Sequence, residues 1–401
     1  MPRLEPFAGL RYDPAIPLDL VTAPPYDIVS PHEREVLASR HPANSIRVEL
    51  PVEDVGSNAD RYQVAADLLS SWQQQGILCR DLRDGFYPYR MTPPNGRTTI
   101  GVLGALACEA PGGNVLPHEE TIPKDRSDRL DLLRASRANL SPIWGLSLTK
   151  GLSDCYQPVG PPAASAVDDD GVLHELWVLD SPDAMKAITA GVSESPVVIA
   201  DGHHRWATAV TYQQERAAAG DSPGGQDFVL ALIVELAEEQ LTVGAVHRTV
   251  KVPRGIDVVA AFWSYFDLDL LSGSASSDLE SLERQAETQG RTGELTLITT
   301  AGIWRLSPRP SALKEADSDL DSSIVALAIG AIGGASSTHH HGAESAIAEL
   351  VSGQADAAIL LRPVTVAQIA QWARARRCMP PKTTYFVPKP RTGMVFRLLD
   401  K

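Results

Sequence analysis

Val197-Val198-Ile199-Ala200-Asp201-Gly202-His203-His204-Arg205-Trp206-Ala207-Thr208-Ala209 decides how this chain is read. The first four residues form a short apolar run, predicting a buried strand. Asp201-Gly202 predicts a tight turn, because glycine tolerates backbone angles that other residues avoid. Helical residues follow from 203 to 219. A strand leading through a tight turn into a helix places the helix N-terminus at the sheet edge. Its backbone N–H groups and positive dipole end favour an anion there. His203, His204 and Arg205 add side-chain donors suited to phosphate. Asp201 can cap the helix or hold a magnesium ion.

Working outward, strands are expected at 44–50, 85–90, 98–108, 196–200, 228–235 and 357–361, with a hairpin over 295–306. The turn Pro93-Pro94-Asn95-Gly96 joins two of these strands as a hairpin. Helices are expected near 30–40, 60–75, 127–138, 180–190, 272–289, 343–352 and 366–376. Ser30-Pro31-His32-Glu33 carries a helix-start signature, and Trp72 falls on the apolar face of the helix over 60–75. Residues 152–170 and 307–322 read as surface segments, and His339-His340-His341 as a loop. The class is α/β (α+β); length suggests two or three domains, and three parts are expected, 1–110, a phosphate-binding core at 111–240, and 241–401 with the tail at Met379–Lys382 returning to the site.

Two further segments carry chemistry. Leu116-Pro117-His118-Glu119-Glu120-Thr121 continues into Lys124-Asp125-Arg126-Ser127-Asp128-Arg129. A carboxylate here can act as base toward a hydroxyl, and Arg129 can neutralise phosphoryl oxygens. The plain alternative is a charged, solvated loop. Near the end, Met379-Pro380-Pro381-Lys382-Thr383-Thr384-Tyr385 is held extended by its prolines, presenting Lys382, Thr383 and Tyr385 in fixed directions. Only eight of the 36 basic side chains are lysine, and Lys124, Lys382 and Lys389 fall within these segments. Tyr26, Asp27, Asn44 and Arg47 are expected to wall a pocket.

The net charge of −14 disfavours nucleic acid and anionic membranes as partners. The four cysteines form no C-x-x-C pair, fitting isolated thiols in a reducing, cytoplasmic setting. Met1 to Glu5 lacks the apolar core of a signal peptide, and the apolar run Ile324–Ile332 is too short to span a bilayer. There is no Walker-type loop, kinase glycine loop, G-x-S-x-G elbow or H-E-x-x-H.

These motifs together resemble the family known as domain of unknown function 1015. The residues that carry the resemblance are Pro6-Phe7, Ala23-Pro24-Pro25-Tyr26-Asp27, Pro42-Ala43-Asn44, Leu116-Pro117-His118-Glu119, Asp128-Arg129-Leu130, Ala200 to Arg205, His247-Arg248 and Met379-Pro380-Pro381-Lys382. This chain has Lys382-Thr383-Thr384 where most members have Lys-Ser-Thr. The His118-Glu119 and Gly202-to-Arg205 boxes also look like those of ParB-like and sulfiredoxin-like proteins, nearest to ADP-dependent free serine kinases. That resemblance covers about a quarter of the chain, with the boxes some eighty residues apart. It implies a mixed-sheet ParB/sulfiredoxin-like core. It also implies Glu119 or Glu120 as base and phosphate held by Gly202, His203, His204 and Arg205. The family's serine-pathway gene neighbourhoods point to serine or phosphoserine.

The reading is phosphoryl transfer between a nucleotide (ADP or ATP) and serine or phosphoserine, with Mg2+, in either the kinase or the phosphatase direction. Catalytic roles are expected for Glu119, His118 and Glu120. Asp201, Gly202, His203, His204, Arg205, Arg129 and Lys382 would bind phosphate or nucleotide. Tyr26, Asp27, Asn44, Arg47, Thr383 and Tyr385 would shape the substrate pocket. A nucleotide-gated regulatory protein and a metallohydrolase using His118, His203 and His204 stand as alternatives.

Overall fold

The computed structural model describes residues 1–53, 60–110, 112–119, 127–273 and 293–400. The chain forms two compact units. The first comprises Met1–Thr242, Trp372–Arg377 and Pro388–Lys401; the second comprises Val243–Gln371 and Cys378–Val387.

The first unit is built on a nine-stranded mixed sheet. Along its main path the order is Val115–Pro117, Val197–Asp201, Ile143–Ser147, Phe228–Glu235, Thr99–Ala107, Tyr87–Thr92, Leu173–Leu176 and Ala164–Val167. Leu4–Glu5 pairs with the far end of Thr99–Ala107. Two pairings are parallel: Val115–Pro117 beside Val197–Ile199, and Ile143–Ser147 beside Ala231–Glu235. The expected hairpin around Pro93 to Gly96 is present, with Tyr87 opposite Leu103 and Met91 opposite Thr99. The central strands are apolar along their whole length because both faces are covered, as buried mixed sheets require. One face packs Val102, Ile143, Val197, Ile199 and Ile233 against Ile188 and Val192 of the helix Pro182–Ser193. Gly145 lies in this layer, where a Cβ would come within 2.8 Å of Val197 and Ile233.

The helix Pro31–Arg40 begins with a capping box. Glu33 N–H donates to Ser30 Oγ at 3.3 Å, and Ser30 N–H donates to Glu33 Oε2 at 2.7 Å. The helix Arg61–Gln74 starts at Asp60 and buries Ala65, Leu69 and Trp72 with Leu10, Tyr12, Val21 and Phe396. The helix His203–Ala218 follows its strand directly, with Gly202 in the left-handed region at φ +84°.

The second unit has a six-stranded antiparallel sheet. Its order is Phe266–Gly273, Gly302–Pro308, Thr296–Thr299, Ala357–Leu360, Val246–Lys251 and Ser336–His341. Alternation divides its core in two. Leu297 and Ile359 pack with Phe262, Ile324 and Val325, while Ile298 and Leu360 pack with Ile347 and Leu350.

Several local expectations are corrected. Residues 44–50 form a turn of helix, Ile46–Glu49, instead of a strand. Asn44 Oδ1 accepts from Ile46 N–H at 2.9 Å, starting the turn, and Ser45, Ile46, Val48 and Glu49 are buried alike. Their alternation therefore marks no half-exposed strand. The segment over 307–322 contains the helix Pro310–Ala316 and the start of Asp321–Gly330. Proline at its first turn and the Asp321–Arg362 pair order what composition alone suggested was loose. The segment over 152–170 includes a 3-10 turn, Leu152–Tyr156, and the strand Ala164–Val167. His339-His340-His341 is not a loop: it ends an edge strand, with His340 opposite His247. The helix expected over 272–289 falls, after Gly273, outside the described residues. No helix among the described residues is long and apolar enough to cross a membrane.

Candidate functional site

The parallel pairing of Val115–Pro117 with Val197–Ile199 joins two motifs distant in sequence. Val197 lies opposite Val115, Val198 opposite Leu116 and Ile199 opposite Pro117. Both strands then end on the same side, delivering His118-Glu119 beside Asp201-Gly202-His203. His118 Nδ1 is 2.5 Å from Ile199 O. A carbonyl only accepts, so this nitrogen carries the hydrogen. His203 Nε2 is 3.3 Å from the same Nδ1, and the two rings are 5.0 Å apart. Burial, and then the neighbouring His118, push the His203 imidazole down to about 3, so it is neutral and can accept. The other nitrogen of His118, Nε2, lies 3.2 Å from Glu119 Oε1; with Nδ1 carrying a hydrogen, Nε2 donates to that carboxylate only in the protonated imidazolium.

The first hydrogen bond of the helical ladder runs from Trp206 N–H to Gly202 O. The amides of His203, His204 and Arg205 therefore lie at the positive helix end, outside that ladder. Asp201 makes no cap. Its Oδ1 accepts from Lys389 Nζ at 2.9 Å and its Oδ2 from Arg205 Nη2 at 3.0 Å. Burial favours the neutral acid, but the two cations overcome it and hold the Asp201 carboxyl at about 2. A carboxylate with both oxygens engaged by cations does not fit a magnesium ligand. Among the described residues no three His, Cys, Asp or Glu side chains are grouped to hold a metal ion.

On the other side of Arg205 lies a second group. The Arg205 guanidinium donates through Nη1 to Pro142 O and lies 5.9 Å from the Tyr26 ring centre. Arg129 stacks over the same ring at 4.3 Å. Arg129 is tied to Asp128 at 2.7 Å and donates to Glu49 O at 2.7 Å. Burial pushes the Tyr26 phenol up to about 12 and raises the Glu49 carboxyl as well. Ser141 Oγ donates to Glu49 Oε1 at 2.9 Å.

The structure thus brings together His118, Glu119, Asp201, Gly202 and His203, and separately Tyr26, Arg129 and Arg205. His204 holds the second position of the helix. Asp27 acts electrostatically on Tyr26 and Arg205. Asn44 and Arg47 point into the protein: Asn44 Nδ2 donates to Leu20 O and Arg47 Nη2 to Ala38 O, both at 2.7 Å. They tie down the helices Leu18–Val21 and Pro31–Arg40. Glu120 lies outside the described residues.

Lys382, Thr383 and Tyr385 belong to the second unit. Lys382 has φ +58° and its carbonyl faces Arg248 Nη2 at 3.4 Å. Thr383 Oγ1 donates to Pro380 O at 2.7 Å, and the Tyr385 ring stacks on His341 at 4.0 Å. Sequence reasoning missed Glu49 and Ser141. Glu49 carried one signal, a carboxylate set between the apolar Val48 and Leu50. Lys389 was marked only by the scarcity of lysine.

A model of the family described as "Protein of unknown function (DUF1015)" matches residues 4–324. No curated protein matches the chain. Among solved structures, the chain is similar to a free serine kinase in complex with AMP, at 14% identity and TM-score 0.39, covering 77% of this chain and 94% of that one. It is similar to a conserved hypothetical protein from Pyrococcus furiosus at 15% identity and TM-score 0.36, covering 70% and 90%. It is also similar to SbnI with a C-terminal truncation from Staphylococcus aureus at 12% identity and TM-score 0.38, covering 72% and 85%. At these values the likenesses assign no activity to this chain.

Proposed function

The chain belongs to the DUF1015 family, and we propose that its first unit transfers a phosphoryl group between a nucleotide and a small hydroxy amino acid, serine or phosphoserine. One observation carries the reading: His118 and Glu119 approach the first turn of the helix His203–Ala218. A general base therefore stands beside an anion site, the pairing that phosphoryl transfer to a hydroxyl needs.

In this reading, the amides of His203, His204 and Arg205 and the two histidine side chains hold the phosphates. Glu119 accepts the proton of the amino-acid hydroxyl as its oxygen attacks the terminal phosphorus of the nucleotide, whose bridging P–O bond breaks and releases AMP from ADP, or ADP from ATP. His118, its Nδ1–H anchored on Ile199 O, orients the Glu119 carboxylate through Nε2–H when the imidazole is protonated. In reverse, Glu119 returns that proton to the departing serine oxygen. Arg129 would steady phosphate charge, and Tyr26 and Asp27 would border the substrate. No step is routed through a protein-held metal, because the Asp201 oxygens are already engaged.

The test is phosphorus NMR of the protein with magnesium. One arm offers serine with ADP or ATP, and the other phosphoserine with and without AMP or ADP. Appearance of phosphoserine, or of new nucleotide phosphate signals, is expected. Glu119→Gln should abolish that turnover while leaving nucleotide binding intact. Bound nucleotide with every mixture unchanged would sink the catalytic reading and leave a nucleotide-binding regulatory protein. Full turnover in Glu119→Gln would remove Glu119 as the base.

A further inference from the structure

His339-His340-His341 ends the strand Ser336–His341 of the second unit, and strand alternation sends the three rings two ways. His340 lies opposite His247 and shares a face with Thr249. There its Nε2 is 2.6 Å from Glu349 Oε2 and 3.0 Å from Thr249 Oγ1. A carboxylate therefore serves the His340 face. His339 and His341 lie on the opposite face, so the three imidazoles do not converge on one metal ion.

The face that His339 and His341 share has a different chemistry. Arg248 lies directly opposite His339. Residues paired in this way hold their side chains on one face, about 5 Å apart at Cβ. Lys382 joins them, its carbonyl 3.4 Å from Arg248 Nη2. The Tyr385 ring borders the group, stacked on His341 at 4.0 Å. Arg248 is 7% exposed, whereas His339, His341 and Lys382 are accessible to solvent. The His339 imidazole is pushed down to about 4, first by burial and then by Arg248, Lys382, His341 and His340. Each of those four neighbours is a cation or can become one.

Like charges set opposite one another destabilise a sheet. Lys382 also takes up left-handed backbone, at φ +58°, a conformation unfavourable to any residue with a Cβ. An anion seated among these side chains offsets the repulsion. A guanidinium fork, an ammonium and two imidazole N–H groups donate from several directions, which suits a tetrahedral oxyanion. We infer that Arg248, His339, His341 and Lys382 form a phosphate-binding site of the second unit. Its occupant is inorganic phosphate or the phosphate of a monoester. The inference uses no residue of the first unit and does not rest on the proposed function.

The experiment is proton–carbon NMR of the full chain, following the imidazole Cε1–H signals of its ten histidines. His→Gln variants assign each signal by its deletion. Inorganic phosphate and glycerol phosphate are titrated separately, with acetate at equal ionic strength as the control. The His339 and His341 signals should move saturably with at least one of the two phosphates. The arm with the higher affinity identifies the source, and acetate should bind at least tenfold more weakly. Signals of His118, His203 and His204 report binding at the first unit's helix end, so the two events are read apart. Lys382→Asn keeps a residue that tolerates positive φ and should weaken phosphate at His339 at least fivefold. Arg248→Gln should do the same in protein that melts like the native chain. Unmoved His339 and His341 signals, equal movement with acetate, or unchanged phosphate affinity in Lys382→Asn would overturn the inference.

Discussion

Replacing Asp201 by asparagine tests how the strand–turn–helix is held together. The Asp201 carboxylate stands between Lys389 and Arg205 at 2.9 and 3.0 Å, and those side chains are 12% and 9% exposed. Asn offers one acceptor oxygen and turns an NH2 donor toward a cation. Removing one partner of a buried charge group costs about 3–5 kcal/mol. The acid–base argument gives a comparable figure. A carboxyl lowered from 3.8 to about 2 contributes about 2–3 kcal/mol. That stability is complete above about pH 4 and is lost as pH falls through about 2, where the native carboxyl also becomes neutral. Urea unfolding should therefore show a loss of about 2–4 kcal/mol for Asp201→Asn at pH 7, shrinking to under 1 kcal/mol near pH 2. A loss below 1 kcal/mol at neutral pH would refute the clamp. A loss that stays constant with pH would show that it arises from packing.

Gly202→Ala should cost about 1–2 kcal/mol, because φ is +84° and the new Cβ would lie 3.1 Å from Ile143 and Arg205. Urea unfolding measures this, and a phosphate-bearing nucleotide should bind more weakly if the turn positions the anion site. His247 is buried and its imidazole is pushed down to about 4, first by burial and then by His340 and His341. Its stability contribution is present above the ordinary value of 6.5 and is lost as pH falls from 6.5 toward 4. Unfolding between pH 7 and 4 should show this decline, worth up to about 3 kcal/mol, and His247→Gln should flatten it. Asp321→Asn leaves half-exposed Arg362 without its two-pronged acceptor and should cost about 1–2 kcal/mol in the same assay. Gly145→Ala places a methyl against Val197 and Ile233 and should cost about 1–3 kcal/mol.

The sequence by itself determined the elements whose signals are local. The strand Val197–Asp201, the turn at Gly202 and the helix behind it follow from an apolar run, a glycine and a helical pattern. The capping box at Ser30 and the hairpin at Pro93 to Gly96 are likewise read from neighbouring residues. His118, Glu119 and His203 were legible as candidates because their side chains have few roles besides chemistry. Tertiary structure alone decided their meeting, since the parallel register of Val115–Pro117 on Val197–Ile199 spans some eighty residues. It also decided that Asp201 clamps Arg205 and Lys389, a pairing that crosses 188 positions to Lys389. The turn at Ile46–Glu49 was misread because full burial erases the contrast on which strand periodicity depends. Glu49 was missed for a related reason: what a buried carboxylate faces is set by packing between distant segments, which leaves no periodic trace in the sequence.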